Sequence, residues 1–462
     1  MNTSFTRNSS FAIAAFAAAA VGAAIPEVSN VTMSQAANRQ VTITYQLANS
    51  PAVVTLDVQT NANTSAAAND PGWTSIGGQF VCNAQGDVWK QVASGNHTIT
   101  WQPDKSWTGD DGEGFKIEAN GARARVMAWP LDNTPDYMVV DISAAAQPDT
   151  QKYYPAVEFL PGGILGNPDY RTTKLVMRKI MAKDVEWTMG STTLETQRKE
   201  AREATHLVAL TNNYYIGVFE VTQAQWDLIQ TSRLAPSYFN NAADRAMRPV
   251  EQVCYNEIRN AANATAANAA YNWPANPNTG SFLGKLTTKT GIAFDLPSEA
   301  QWEFAARAWN GDTKWGDGSG ILNTEEDSNL NTLGRYERDG GKVLNGTSYD
   351  APAQSCGAAN GTAVAGSYAP NAWGLYDMFG NVRELCLDWY EDNITAHGGK
   401  ANIDPSTPSK TLSGATGVIR ARRGGYWGDN ANFCRPASRG AVSPDNRNNQ
   451  DGFRVVCTAG LR

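Results

Sequence analysis

Histidine is scarce. The chain has three in 462 residues, His97, His206 and His397, and no two stand in an HxxxH or HxH pair. A three-histidine iron centre therefore finds no local ligand pair to build on. Charge is also scarce, at 18% of residues, and the formal net charge is −7. An acidic balance of this kind argues against nucleic acid or an anionic membrane as the main partner. The six cysteines, Cys82, Cys254, Cys356, Cys386, Cys434 and Cys457, form no CxxC, so a zinc ribbon or a thioredoxin-type site is not indicated. No GxSxG, Walker or GxGxxG motif occurs in a strand-to-helix context. Only one long apolar run is present, Phe11–Val21, and it is too short to span a bilayer.

That run reads as the core of a secretory signal peptide over residues 1–24. Arg7 supplies the leading charge and Gly22-Ala23-Ala24 the small-residue cleavage site. A retained amphipathic anchor is the alternative. Export would place the protein outside the cytoplasm: secreted, periplasmic or at the cell surface. An even cysteine count in that setting permits disulfides without fixing their pairing.

Residues 27–145 read as an all-β, immunoglobulin-like sandwich. Val41, Ile43, Tyr45 and Leu47 alternate with polar residues, as do Val54, Leu56 and Val58. Further short runs follow at His97–Trp101, Phe115–Glu118, Ala122–Trp129 and Tyr137–Ile142, separated by turn-rich loops. Residues 146–152 then read as a linker, and 153–462 as a second domain of mixed strands and a few helices. Thr222 with Gln225, and Ser298 with Gln301, make capping boxes. Asn256–Ala270 reads as a weak helix, and Ser281–Thr290 as one stopped by Gly291. Trp302, Ala305, Ala306 and Trp309 fall on one apolar stripe expected in the core. Residues 310–370 are rich in Gly, Asn and Asp and show little pattern, the mark of a functional or mobile loop.

The second domain is organised around Asn371–Tyr390, NAWGLYDMFGNVRELCLDWY. Asp377 and Glu384 flank a Gly380–Asn381 break, where glycine lets the backbone bend. Such a bend can turn two carboxylates and main-chain oxygens toward one point, which is hard-cation chemistry. A core segment with solvated acids reads the same spacing without a metal. GLYDMFGNVRELCLDWY resembles the central block of the formylglycine-generating enzyme (sulfatase-modifying factor) family, usually GLYDMxGNVWEWxxDWY. Four other blocks agree in order: Tyr214–Trp226, Arg248–Tyr255, Leu296–Arg307 and Arg422–Arg454. The resemblance spans roughly 155–460. It implies an α+β fold: a C-type-lectin-like domain of the formylglycine-generating-enzyme type with much irregular structure, here preceded by the all-β sandwich.

The resemblance also implies sites. An internal structural Ca²⁺ would take Asp377, the carbonyls of Gly380 and Val382, and Glu384. The family's oxidases bind Cu(I) through two cysteines after an Arg-Gly-Gly-Ser motif, and soft thiolates suit Cu(I). Here the second cysteine matches Cys434, the first falls on Asp429, and the motif serine on Tyr426. The tryptophan of GNVWEW is replaced by Arg383. A lone Cys434 beside a hard carboxylate does not make a two-thiolate site, so Cys434 is expected in a disulfide or as a buried thiol. The stretch 428–451 is rich in Asn and Arg and offers a recognition surface: Tyr426, Trp427, Asp429, Asn430, Asn432, Arg435, Arg439, Asn446 and Asn448. PDNRNNQDGFR also resembles the variable segment of retroelement-diversified proteins, and an ordinary self-bonded asparagine loop reads equally well there. The expectation is an exported, calcium-stabilised, non-catalytic binding or surface scaffold with a protein or glycan ligand. The alternative is an active formylglycine-generating oxidase, with copper as its cofactor and Cys434 as its surviving thiol.

Overall fold

The computed structural model describes residues 25–49, 51–107, 121–195, 197–241, 243–260, 276–322, 324–395, 402–403 and 419–460. The signal peptide, the strand expected at Phe115–Glu118 and residues 261–270 of the expected Asn256–Ala270 helix lie outside the described residues. Only Tyr255–Ile258 of that region is described as helix.

The N-terminal region is two facing sheets. In one, the order is Glu27–Gln35, Val41–Ala48, Gly95–Trp101 and Gln85–Gly86. Val41, Ile43, Tyr45 and Leu47 are all buried, and Ile43 sits opposite Ile99. The alternation is therefore a half-buried strand with one apolar face. In the other sheet Ala52–Thr60 pairs with Lys90–Val92, Thr74–Ser75 and Ala122–Trp129. This strand is buried on both faces, although its sequence alternates. The second face is covered because Val53 packs with Met138 and Tyr153. Its polar members find partners: Thr55 Oγ1 accepts from Trp129 Nε1 at 2.9 Å, and Asp57 accepts from Ser75 Oγ and Gln59 Nε2.

The two regions thus share a core rather than being joined by a free linker. Tyr137–Asp141, grouped above with the N-terminal strands, pairs instead with Lys174–Ile180 and Lys152–Tyr154. These strands continue through Tyr214–Gly217 to Val456–Thr458 in one five-stranded antiparallel sheet. The stretch 146–152 is a docked loop within it: Asp149 N donates to Thr290 O at 3.1 Å, and just beyond, Tyr153 N donates to Trp89 O at 2.8 Å. The boundary of the first β-region therefore falls before Tyr137, because that strand's hydrogen bonds go to the second domain.

The second domain is α+β with long irregular stretches. Helices Gln223–Ile229 and Glu299–Arg307 both begin in complete capping boxes, at Thr222 and Ser298. Helix Phe282–Thr290 runs from the Ser281 cap to Gly291, whose φ of 75° ends it. A four-stranded sheet of Arg439–Val442, Arg420–Arg423, Arg383–Trp389 and Asp451–Gly452 carries the site described below. A further expectation fails. Trp302, Ala305 and Ala306 are buried, but Trp309 is 64% exposed. The helix stops at Arg307, and Ala308 and Trp309 take φ of 47° and 69°. Two successive left-handed residues turn the chain before the helical stripe can reach Trp309.

Candidate functional site

The Gly380–Asn381 break is a forced turn. Asp377, Gly380 and Asn381 have φ of 55°, 93° and 59°. A Cβ on Gly380 would lie 2.0 Å from Arg335 O, so only glycine fits. The turn is tied on both sides, with Gly380 N donating to Gly424 O at 2.7 Å and Asn381 N to Arg335 O at 2.7 Å.

Under this turn lie three buried carboxylates. Glu384 accepts two 2.6 Å bonds from Arg454 Nε and Nη2 and one of 2.8 Å from Trp302 Nε1. Glu220 accepts from Asn381 Nδ2 at 2.6 Å and Val382 N at 3.2 Å. Burial, then the nearby Asp377 and Glu384 charges, push Glu220 well above the usual carboxylate range. Asp377 Oδ2 accepts from Gly366 N at 2.7 Å, while its buried Oδ1 meets no donor. Burial raises the Asp377 carboxyl to about 6. The donors are hard oxygens and negative charge exceeds the charge of Arg454, which suits a hard cation. Against this, Arg454 and Trp302 already occupy Glu384. Among the described residues no group of three or more His, Cys, Asp or Glu side chains is gathered at metal-binding distance. The sequence assigns Glu220 and Arg454 no role, and Trp302 only a place in the core. The Glu before Val221 and Thr222 and the Arg closing DGFR were visible, but nothing local linked them to Glu384.

The second cluster joins three departures from the family pattern. Arg383 Nη2 donates to both Asp429 oxygens at 2.8 and 2.7 Å, and its Nε to Oδ2 at 3.1 Å. The Arg383 guanidinium also lies 4.4 Å from the Tyr426 ring centroid. The positions expected to match the family's tryptophan, cysteine and serine are thus one ion pair under one aromatic ring. Cys434, 0% exposed, stands beside it. Burial pushes its thiol well above the ordinary value, and the Asp429 charge pushes it further. None of the six cysteines is in a disulfide, so Cys434 is a buried, protonated thiol.

Behind this cluster runs a buried arginine–glutamate array. Arg423 donates to Glu299 and Glu303 at 2.8 and 2.9 Å, and Arg439 shares Glu299. Burial opposes ionisation of Glu299, but the Arg439 and Arg423 guanidiniums overcome it and hold the carboxyl at about 2. Arg435 bridges Glu195 and Glu203.

The expected recognition surface divides. Trp427, Asp429 and Arg435 are buried, at 4%, 8% and 1% exposure. Trp427 donates to Asn449 O at 2.8 Å and packs edge-on to Phe239 and Tyr426. These three belong to the interior because each finds a partner there. Arg439 is held by Glu299. Asn446 is exposed, and Tyr426, Asn430, Asn432 and Asn448 are half-buried. The Oδ1 atoms of Asn430 and Asn432 meet no donor, and between them and Cys434 stands the 45% exposed Phe433.

Residues 173–459 match the sulfatase-modifying factor enzyme 1-like domain. A formylglycine-generating enzyme of Thermomonospora curvata is 32% identical over 169 residues, covering 35% of this chain and 48% of that protein. Chaperone protein LppX of Paenibacillus barcinonensis is 27% identical over 258 residues, covering 53% of this chain and 80% of that protein. The chain spans about half the length of formylglycine-generating enzymes that it matches. Treponema denticola variable protein 1 superposes with a TM-score of 0.43 at 25% identity, over 62% of this chain and 96% of that chain. Matched over more than half its length, with the glycine turn and the Glu384–Arg454 pair at its centre, the chain belongs to the sulfatase-modifying factor enzyme 1-like family.

Proposed function

We propose that this protein is an exported recognition scaffold in which the family's copper chemistry has been replaced by an ion pair. The observation that carries the reading is the bidentate Arg383–Asp429 contact. A guanidinium and a carboxylate occupy the ground where the oxidases need a second soft thiolate, and the remaining thiol, Cys434, is held protonated. Neither donor chemistry suits Cu(I). The ligand, a protein or a glycan, meets the exposed part of 428–451, where Phe433 and Asn446 offer mixed apolar and polar contact.

A structural Ca²⁺ at Asp377, the Gly380 and Val382 carbonyls and Glu384 completes the reading. The unpartnered Asp377 Oδ1 and the surplus of buried carboxylate support it. Glu384 would exchange part of its bonding to Arg454 on ligation. The test is metal analysis of the purified protein, with Cu(I) uptake under reducing conditions and oxidation of a CxPxR-type peptide as the paired assay. About one calcium per chain, no tight copper and no peptide oxidation are expected. Stoichiometric Cu(I) with turnover would establish the oxidase instead.

A further inference from the structure

The failed expectation at Trp309 opens onto a second site. A cavity of about 400 Å³ lies at the C-terminal end of helix Glu299–Arg307, walled by Trp187, Phe304, Trp309, Glu186, Arg307 and Asp312. Its size is within the range of small-molecule sites. The aromatic wall is built: Trp187 packs on Phe304 with centroids 5.3 Å apart, and Trp309 stands edge-on to Phe304 at 5.8 Å. Trp309 is held out by its left-handed backbone, and Asn310 Nδ2 locks the turn by donating to Arg307 O and Gly316 O at 3.1 and 2.9 Å. Keeping two non-glycine residues in that conformation costs stability.

The polar groups narrow the ligand. Trp187 is 9% exposed, and its buried indole N–H meets no acceptor. That N–H has no accessible surface, so it lies beneath the wall and does not meet an occupant of the cavity. Glu186 is exposed, and Asp312 is half-buried, with its oxygens already accepting from the Thr192 and Thr313 amides. Carboxylates on the rim call for donors from the ligand. A cationic ligand would meet the aromatic wall and Glu186, but Asp312 is already taken up by two amides and Arg307 stands on the same wall. A sugar ring offers an apolar C–H face to lie on Trp309 and hydroxyls that can donate to Glu186.

We infer that this cavity is a binding site for a neutral sugar residue of a glycan, with Trp309 as its stacking platform. It shares no residue with the 428–451 face and stands whether or not that face binds anything.

The experiment is saturation-transfer NMR and calorimetry on the full chain with neutral methyl glycosides and tetrasaccharides of glucose, galactose, mannose and N-acetylglucosamine. At least one sugar is expected to bind saturably, and Trp309→Ala, a change at an exposed side chain, weakens it about tenfold or more. Glu186→Gln weakens it less, and Phe433→Ala on the other face leaves it unchanged. Absence of binding by every sugar, equal affinity of wild type and Trp309→Ala, or binding of a lysine-rich peptide in place of sugars would each overturn the assignment.

Discussion

The N-terminal strands and the second domain solve the same problem with different chemistry. The first region closes on apolar side chains: Val41, Ile43, Leu56, Val58, Ile99 and Trp101 are buried, and Asp57 is the buried carboxylate among its described strands up to Trp129. The second buries whole arginines, and Arg248, Arg259, Arg420, Arg423, Arg435 and Arg454 rank among its largest fully buried side chains. A sheet satisfies its own backbone, so its interior can be apolar. A loop-rich domain has many carbonyls with no ladder to join. Arginine, with five fixed donors, reaches several at once: Arg454 donates to Glu384 and to the carbonyls of Gly217 and Tyr376, and Arg335 to those of Gly340, Ala358 and Ala359. The guanidinium here takes the place of secondary structure.

If that contrast is right, the largest loss should come from the charged interior. Arg454→Met leaves Glu384 buried without its cation, and about 3–5 kcal/mol of stability should go, read from the urea midpoint. In the N-terminal sheet Leu56→Ala should cost about 2–5 kcal/mol through cavity formation. A loss at Leu56 well above that at Arg454 would reverse the comparison.

A pH series sharpens it. Burial pushes Glu251 up to about 7 from an ordinary 4.5. Phe239 N donates to its Oε1 at 2.8 Å, Oε2 meets no donor, and Arg248, which opposes the shift, is engaged by Asp244. The folded chain therefore holds a proton that the unfolded chain releases earlier. The contribution is fully present below pH 4.5 and is lost as pH rises through 7, at most about 3 kcal/mol. Glu251→Gln should flatten that fall, measured by unfolding between pH 4.5 and 8. An unchanged slope would assign the pH dependence to other groups. The smallest effect belongs to the surface: Arg202–Asp392, with both side chains well exposed, should contribute under about 1 kcal/mol in a double-mutant cycle.

What could be read in the sequence follows the same division. The strands around Val41–Leu47 and His97–Trp101, and the caps at Thr222 and Ser298, rest on neighbours within a few residues, and all were legible. The family fold was legible from five ordered blocks. The buried pairs were not, because Arg423 finds Glu299 across 124 residues and Arg435 finds Glu195 across 240. For the same reason Asp429 and Arg383 read as two separate departures, when 46 residues apart they are partners. Trp309 misled because helical spacing continued past the point where the backbone had already turned. Tyr137–Asp141 was placed with the wrong strands because a strand's own pattern does not say which sheet it joins.

The Arg383–Asp429 pair also constrains the order in which this sequence can change. Replacing either residue alone strands the other's charge in a largely covered place, a cost of several kcal/mol. Only a joint exchange, tryptophan for Arg383 and cysteine for Asp429, escapes that penalty. Single steps toward the tryptophan and cysteine of the family pattern therefore lower stability first. The pair acts as a ratchet: whatever order of events installed it, the folded protein now resists losing it one residue at a time.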